Sequence, residues 1–168
     1  MHPATGSRPG DNLPPAHDDE AEEVHMNTHR DDEDRMRSMA SQVLARIDGE
    51  REILHLIETG LDDEAIISRS GAEPRIVAGV RQEHQRGEEI RPVTPYELGL
   101  RRFMGQISTE EMMDRLRSWP YTFGQHHYDF YDEGSWDEVR RLHRYEIITD
   151  DEYEELRLIV QQFPDHPS

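Results

Sequence analysis

The sequence has 168 residues, no cysteine, and 37 acidic against 19 basic side chains, which gives a formal charge of -18. This length allows one or two small domains, and the lack of cysteine excludes a disulfide framework and thiolate metal or redox chemistry. Hydrophobic residues make up only 33% of the chain, so part of it is expected to lie outside a folded core. The excess of negative charge repels nucleic acid at long range.

Membrane and secretory segments are not visible in the sequence. No apolar run approaches the roughly 20 residues that a membrane span needs, and the N-terminus lacks the basic flank and apolar core of a signal peptide. Every basic side chain is an arginine, a usage typical of GC-rich bacterial or phage genomes. We therefore expect a cytoplasmic protein with no membrane partner.

Residues 1–32 combine several prolines with runs of aspartate and glutamate, and their few apolar residues follow no period. Such a segment cannot bury enough apolar surface to offset its chain entropy. We predict a disordered acidic tail. It is either a solubilising extension or an internal mimic of nucleic-acid charge that screens the arginines downstream.

Residues 33–88 are predicted to form a helix-turn-helix domain. Apolar residues recur at helical spacing along a lead-in helix: Met36, Met39, Ala40, Val43, Leu44 and Ile47. Gly49 is predicted to end that helix, and the next helix carries Ile53, Leu54, Leu56 and Ile57 and stops at Gly60. Asp62 is then predicted to cap the helix that follows. Gly71 then falls in the turn, and Pro74 opens the last helix.

Residues 94–164 are predicted to form two helical hairpins. Four capping-box matches mark helix starts: Thr94-x-x-Glu97, Ser108-x-x-Glu111, Ser135-x-x-Glu138 and Thr149-x-x-Glu152. The expected helices are Pro95–Met104, Thr109–Ser118, Trp136–Tyr145 and Asp150–Gln162. The similar halves FMGQISTEEMM and HRYEIITDDEY indicate two copies of one hairpin, and no strand pattern of useful length occurs. The predicted fold class is all-α.

Residues 49–86 resemble the helix-turn-helix of LuxR-type response regulators, and more loosely sigma-factor region 4 and the resolvases. The similar positions are Glu50-Arg51-Glu52-Ile53-Leu54, Thr59-Gly60-Leu61, Gly71 at the turn, and the apolar Ile66, Val77 and Val80. The sequence departs from the family at Ile67, where a small residue is usual, and at Ser70, where an apolar one is usual.

The resemblance implies that the last helix enters the major groove of DNA and reads base edges. Arginine pairs with guanine and glutamine with adenine, and arginine contacts to phosphate supply much of the affinity. Base contacts are expected from Arg75, Gln82 and Glu73, close approach at Ala78 and Gly79, and phosphate contacts from Arg69, Arg81 and Arg86. Residues 74–87 hold three arginines and one glutamate, which favours this hypothesis.

The leading prediction is a small DNA-binding transcriptional regulator whose C-terminal module dimerises or binds a protein partner. Its expected partners are double-stranded DNA, another protein and a second copy of the chain. Residues 48–92 carry eleven acids against six arginines, so an alternative stays open. In that alternative, an acidic interaction module imitates DNA and binds a nucleic-acid-handling enzyme or a transcription factor.

The irregular segment 119–135 concentrates the aromatic residues of the chain. Most are expected to pack in the core, whereas Tyr128, Phe130 and Tyr131 are predicted to reach a partner. The adjacent His126 and His127 lie near carboxylates, but neighbouring residues seldom point at one ion, so no metal site is predicted. No nucleophile motif or phosphate-binding glycine loop occurs. We expect neither enzyme activity nor a cofactor.

Overall fold

Seven α-helices and one short antiparallel sheet form the part of the chain that the structure describes. This computed structural model describes the backbone of residues 19–164 and the side chains of residues 31–164. The elements are α1 (Asp19–Glu58), α2 (Asp63–Ser70), α3 (Pro74–Gln85), α4 (Pro95–Phe103), α5 (Thr109–Arg117), β1 (Gln125–His126), β2 (Tyr131–Asp132), α6 (Ser135–Arg144) and α7 (Asp150–Val160). The all-α prediction is confirmed. Across the described residues, no helix combines the length and the apolar character needed to cross a membrane.

The first helix differs from its prediction at both ends. α1 begins at Asp19, inside the segment 1–32 that was predicted to be a disordered tail, while residues 1–18 of that segment lie outside the described residues. The predicted helix end at Asp48-Gly49 is wrong, because α1 continues to Glu58. Side chains on both sides of the glycine form ion pairs with residues more than forty positions away. These tertiary contacts offset the roughly 1 kcal/mol that a glycine costs inside a helix.

Gly49→Ala is therefore expected to stabilise the protein by about 1 kcal/mol in urea unfolding. A Cβ at Gly49 would meet no atom within 4 Å. Gly71→Ala is the matched control, because its Cβ site is equally open but its φ is 68°. There alanine is strained and should destabilise the protein. A loss of stability in Gly49→Ala would contradict the uninterrupted helix.

The chain divides into two compact units, one ending at Met36 and the other beginning at Arg37. In the first unit, exposed Arg35 and Asp32 form an ion pair at 3.0 Å, one helical turn apart. The second unit contains residues 49–86, predicted to be a helix-turn-helix and called the helix-turn-helix segment below, and the C-terminal helices.

The helix-turn-helix segment encloses its own hydrophobic core. The buried members come from the end of α1, from α2, from α3 and from the connector after α3: Ile53, Leu56, Ile57, Ile66, Val77, Val80 and Ile90. Each helix therefore turns one apolar stripe inward, which leaves the other side of α3 to solvent.

The four C-terminal helices pack as two hairpins, with α4 against α5 and α6, and α7 against α5 and α6. Thr94, Ser108 and Thr149 accept hydrogen bonds from the backbone three residues on, so three of the predicted helix starts are confirmed. Gly99 brings α4 close to α6, because a Cβ there would lie 2.2 Å from Cδ2 of buried Leu142.

The fourth predicted cap, Ser135, is wrong. Gly134 precedes α6 as its N-cap. The Ser135 N–H donates to Thr122 Oγ1, and the Ser135 hydroxyl accepts from the Thr122 N–H, both at 2.9 Å. Glu138, the predicted capping-box partner, accepts from the Tyr96 N–H at the start of α4 instead. The serine thus anchors the preceding loop, and the glutamate joins two helices.

A buried carboxylate connects the end of α1 to the C-terminal helices. Glu97 is 3% exposed and accepts two hydrogen bonds from Arg51, at 2.6 and 2.7 Å. Arg101 donates to the same carboxylate at 2.7 Å and to Asp48 at 2.5 Å. We call these four residues the Glu97 network. It ties the first helix of the helix-turn-helix segment to α4.

Tyr121 is the buried aromatic of the loop before the β-hairpin. Its hydroxyl donates to the Leu116 carbonyl at 2.8 Å, and its ring meets Trp136 edge-on at 5.4 Å. Burial raises the pKa of the Tyr121 phenol. This ring closes the core between the two hairpins.

Candidate nucleic-acid interface

The turn between α2 and α3 is built by short-range capping. Asp62 accepts a hydrogen bond from the Ala65 N–H at 2.9 Å and so begins α2. Gly71 ends α2 in the left-handed region, and its N–H donates to the Ile67 carbonyl. α3 then starts at Pro74, where a missing N–H leaves no helical bond unmade. A turn of three residues therefore separates the two helices.

Ser70 and Ile67, the two departures from the LuxR-type pattern, are both accommodated. The Ser70 hydroxyl donates to the Ile66 carbonyl at 2.8 Å and accepts from the Ala72 N–H at 3.2 Å. Ile67 is partly buried against the core of the segment. The turn is thus closed by serine hydrogen bonds in place of an apolar contact.

One face of α3 is buried through Val77 and Val80, and the opposite face is exposed. The exposed residues of the helix are Pro74, Arg75, Ala78, Gln82, His84 and Gln85. None is acidic, since the only carboxylate of α3, Glu83, is half-buried. In a chain with a charge of -18, this face offers guanidinium, amide and methyl groups, which are the groups that contact base edges.

Two of the predicted contact arginines are paired with neighbouring carboxylates. Arg75 donates to Glu73 at 2.6 Å, and both side chains are well exposed. Arg86 donates to Glu88 at 2.5 and 3.1 Å. The hydrogen bonds that Arg75 donates to Glu73 and Arg86 donates to Glu88 raise the pKa of both arginines. Because exposed pairs of this kind contribute little to stability, a phosphate can compete for either guanidinium.

Arg81 and Arg69 lie in different settings. Arg81 donates to Asp63 at 2.5 Å and to the Leu61 carbonyl at 2.9 Å, and its side chain is 27% exposed. It therefore holds α3 against the start of α2. Arg69 is exposed in the last turn of α2, and its side chain forms no hydrogen bond or ion pair with another described residue.

The remaining residues predicted for DNA lie on the same helix. Ala78 and Gln82 are exposed, and Gly79 is partly exposed. A Cβ at Gly79 would touch nothing within 4 Å, so packing within the described chain does not require a glycine there. The structure brings Arg75, Ala78 and Gln82 together on one face.

The predicted partner-binding residues belong to a β-hairpin at residues 125–132. Tyr128 is fully exposed at its tip, and Phe130 and Tyr131 are exposed beside it. Phe130 stacks on His127 at 4.5 Å, and Tyr131 lies 4.7 Å from His126 across the strands. Both histidines thus contact aromatic rings. Among residues 31–164, no three histidine or carboxylate side chains gather as a metal site.

Three arginines of α6 have no role that the sequence alone predicts: Arg140, Arg141 and Arg144. These residues line a pocket beside the β-hairpin. The sequence pattern that indicates this cluster is RRLHR, whose first and last arginines lie one helical turn apart. The facing hairpin, which that spacing does not reveal, makes the surface concave.

Comparison with family models, with curated proteins and with solved structures finds no match to this chain. The similarity of residues 49–86 to LuxR-type units stays a prediction based on the residues named above.

Proposed function

We propose that this protein binds double-stranded DNA through the exposed face of α3 and acts as a small transcriptional regulator. The observation that carries the proposal is that none of the exposed side chains within α3 is acidic, in a strongly acidic chain. α3 follows a three-residue turn and packs on a core shared with α2 and the end of α1, as expected of a recognition helix.

Within this proposal the predicted residues take different roles. Arg75 and Gln82 contact base edges, Ala78 and Gly79 allow close approach, and Arg69 and Arg86 contact phosphates. Arg81 positions α3 through Asp63. Glu73 competes with DNA for the Arg75 guanidinium. The C-terminal helices serve dimerisation or a protein partner.

The test is fluorescence anisotropy with random-sequence genomic DNA fragments at low and physiological salt. Arg75→Ala is expected to weaken binding by about tenfold or more, because it removes a base-edge contact and a positive charge from the DNA-facing side of α3. Glu73→Gln should strengthen binding, because it frees the same guanidinium. For each phosphate contact that a variant loses, the slope of the logarithm of the binding constant against the logarithm of the salt concentration should fall in magnitude by about one.

Arg157→Ala is the matched control, since Arg157 is also an exposed arginine paired with a nearby glutamate, Glu154, at 2.6 Å. It should leave DNA binding unchanged. Binding that stays undetectable up to tens of micromolar protein at low salt would overturn the proposal. So would equal effects of Arg75→Ala and Arg157→Ala.

A second candidate, protein docking, is favoured by the exposed hairpin. Tyr128 and Phe130 are large aromatic side chains in water, and the hairpin also carries Asp129 and Asp132. Aromatic residues are frequent anchors of protein interfaces, and these carboxylates favour a basic partner. This candidate agrees with the alternative of an acidic interaction module. Phe130→Ala should leave DNA binding unchanged and should lower the affinity for a basic protein partner.

A further inference from the structure

A polar pocket of about 280 Å³ lies between the β-hairpin and α6. Arg140, Arg141 and Arg144 contribute three guanidinium groups to its lining. Small-molecule sites usually begin at about 300 Å³. The pocket therefore suits a ligand smaller than a typical drug.

The two carboxylates of the pocket are already occupied by donors of the protein. Asp137 accepts from the Gly134 N–H at 3.0 Å and from the Tyr131 hydroxyl at 2.9 Å. Glu133 accepts from Arg141 at 2.7 Å. Because these acceptors are engaged, they favour neither a metal ion nor a cationic ligand.

Two of the three guanidinium groups keep donors for a ligand. Arg144 is exposed, and its side chain has no hydrogen bond or ion pair with another described residue. Arg140 is 55% exposed, and its contact with Asp137 is long, at 3.3 Å. Arg140 and Arg144 are four residues apart on α6 and so lie on one face. Arg141 is held by Glu133 and lies over the Tyr96 ring at 5.4 Å.

We propose that this pocket binds a small phosphate monoester, with Arg140 and Arg144 donating to the phosphate oxygens. The planar fork of donors on arginine matches phosphate geometry. Arg144, whose side chain is unpaired, and Arg140, which keeps donors beyond its contact with Asp137, together fit a dianion better than they fit a single carboxylate. The contacting rings of His126 and Tyr131 also line the pocket, and the organic part of the ligand packs against them. This site is separate from the DNA contact proposed for α3.

The test uses the full-length protein labelled with ¹⁵N and titrated at constant ionic strength with sodium chloride. The probes are inorganic phosphate, AMP and glycerol 3-phosphate, with adenosine as the uncharged control. At least one monoester should shift amide signals of residues 126–144 saturably, with a dissociation constant of about 1 mM or below and at least threefold tighter than inorganic phosphate. The proposal is overturned if neither monoester gives saturable shifts, if adenosine binds equally well, or if inorganic phosphate binds as tightly.

Variants then locate the phosphate. Arg140→Ala and Arg144→Ala each remove an exposed side chain and should weaken monoester binding at least fivefold. Arg115→Ala removes the same charge from an exposed position on α5, outside the pocket, and should change binding less than twofold. Equal weakening of monoester binding in all three variants would reveal a general charge effect and would overturn the proposed site. Unchanged binding in both Arg140→Ala and Arg144→Ala would overturn it as well. Far-UV circular dichroism checks that each variant is folded.

Discussion

Glu97→Gln is expected to lower the free energy of unfolding by about 3 kcal/mol, because it leaves two largely buried guanidinium groups without their shared counter-ion. The side chains of Arg51 and Arg101 are only 28% and 18% exposed, and both donate to Glu97. Glutamine keeps the size of the side chain, so the loss reports charge and hydrogen bonding and not a cavity. The measurement is urea unfolding of the full chain at pH 7.

Glu154→Gln is the control for this variant. Glu154 also accepts two hydrogen bonds from an arginine, Arg157, but the pair is exposed. Its removal should leave the unfolding midpoint unchanged within error. Equal midpoints for wild type and Glu97→Gln would show that the Glu97 network does not stabilise the fold.

The same network makes a prediction about pH. Burial raises the pKa of Glu97, but the hydrogen bonds and charges of Arg51 and Arg101 outweigh it and hold the pKa below its ordinary value of 4.5. A carboxyl with a lowered pKa in the folded state adds stability above the pKa of the unfolded state. That stability is lost as the pH falls through the folded pKa. The difference between wild type and Glu97→Gln should be constant above about pH 5.5 and shrink below about pH 4.5.

The contact between α4 and α6 allows a second large effect to be tested. Leu142→Ala should destabilise the protein by about 2–5 kcal/mol, because it leaves a cavity at a fully buried position. Gly99→Ala should destabilise the wild type by about 1–3 kcal/mol, because its Cβ would lie 2.2 Å from Leu142 Cδ2 and 2.9 Å from Cγ.

In the Leu142→Ala background the sign of Gly99→Ala should reverse. The collision is gone, so the added methyl group fills part of the cavity, and alanine favours the helix by about 1 kcal/mol over glycine. Urea unfolding of the four proteins completes the double-mutant cycle. Additive losses would show that α4 and α6 do not meet at these two residues.

Helix starts that depend on neighbouring residues could be predicted from the sequence. Thr94, Ser108 and Thr149 each cap a helix through a backbone N–H three residues away, a distance that a motif captures. Gly71 adopts the left-handed turn conformation for an equally local reason.

Features that depend on distant residues could not be predicted in this way. Gly49 stays helical while neighbouring Asp48 binds Arg101, 53 residues further on. Ser135 looked like a helix cap but pairs with Thr122, on a loop that only the folded chain brings near. In each case a tertiary contact outweighs a local preference.

The candidate DNA site also has some features that are set by neighbouring residues and others that are set by distant ones. Helical spacing places Arg75, Ala78 and Gln82 on the exposed side of α3, away from buried Val77 and Val80. The partner of Arg81 is Asp63, 18 residues earlier, so its positioning role depends on how α2 packs against α3. The pocket of α6 likewise requires a hairpin that is not evident from sequence periodicity.

The chain has no lysine, and the lack of amine-based ion pairs among the described residues has a consequence in alkaline solution. A lysine pair would weaken near pH 10, whereas a guanidinium keeps its charge to beyond about pH 12. The Glu97 network therefore survives where amine-based pairs fail. The buried phenol of Tyr121 responds instead, because burial raises its pKa in the folded state. Above about pH 10 the unfolded chain ionises this phenol more readily, so stability falls as pH rises. Burial also raises the pKa of the partly buried Tyr96 phenol, so these tyrosines, with Tyr121 foremost, and not the salt bridges are expected to limit this fold in alkali.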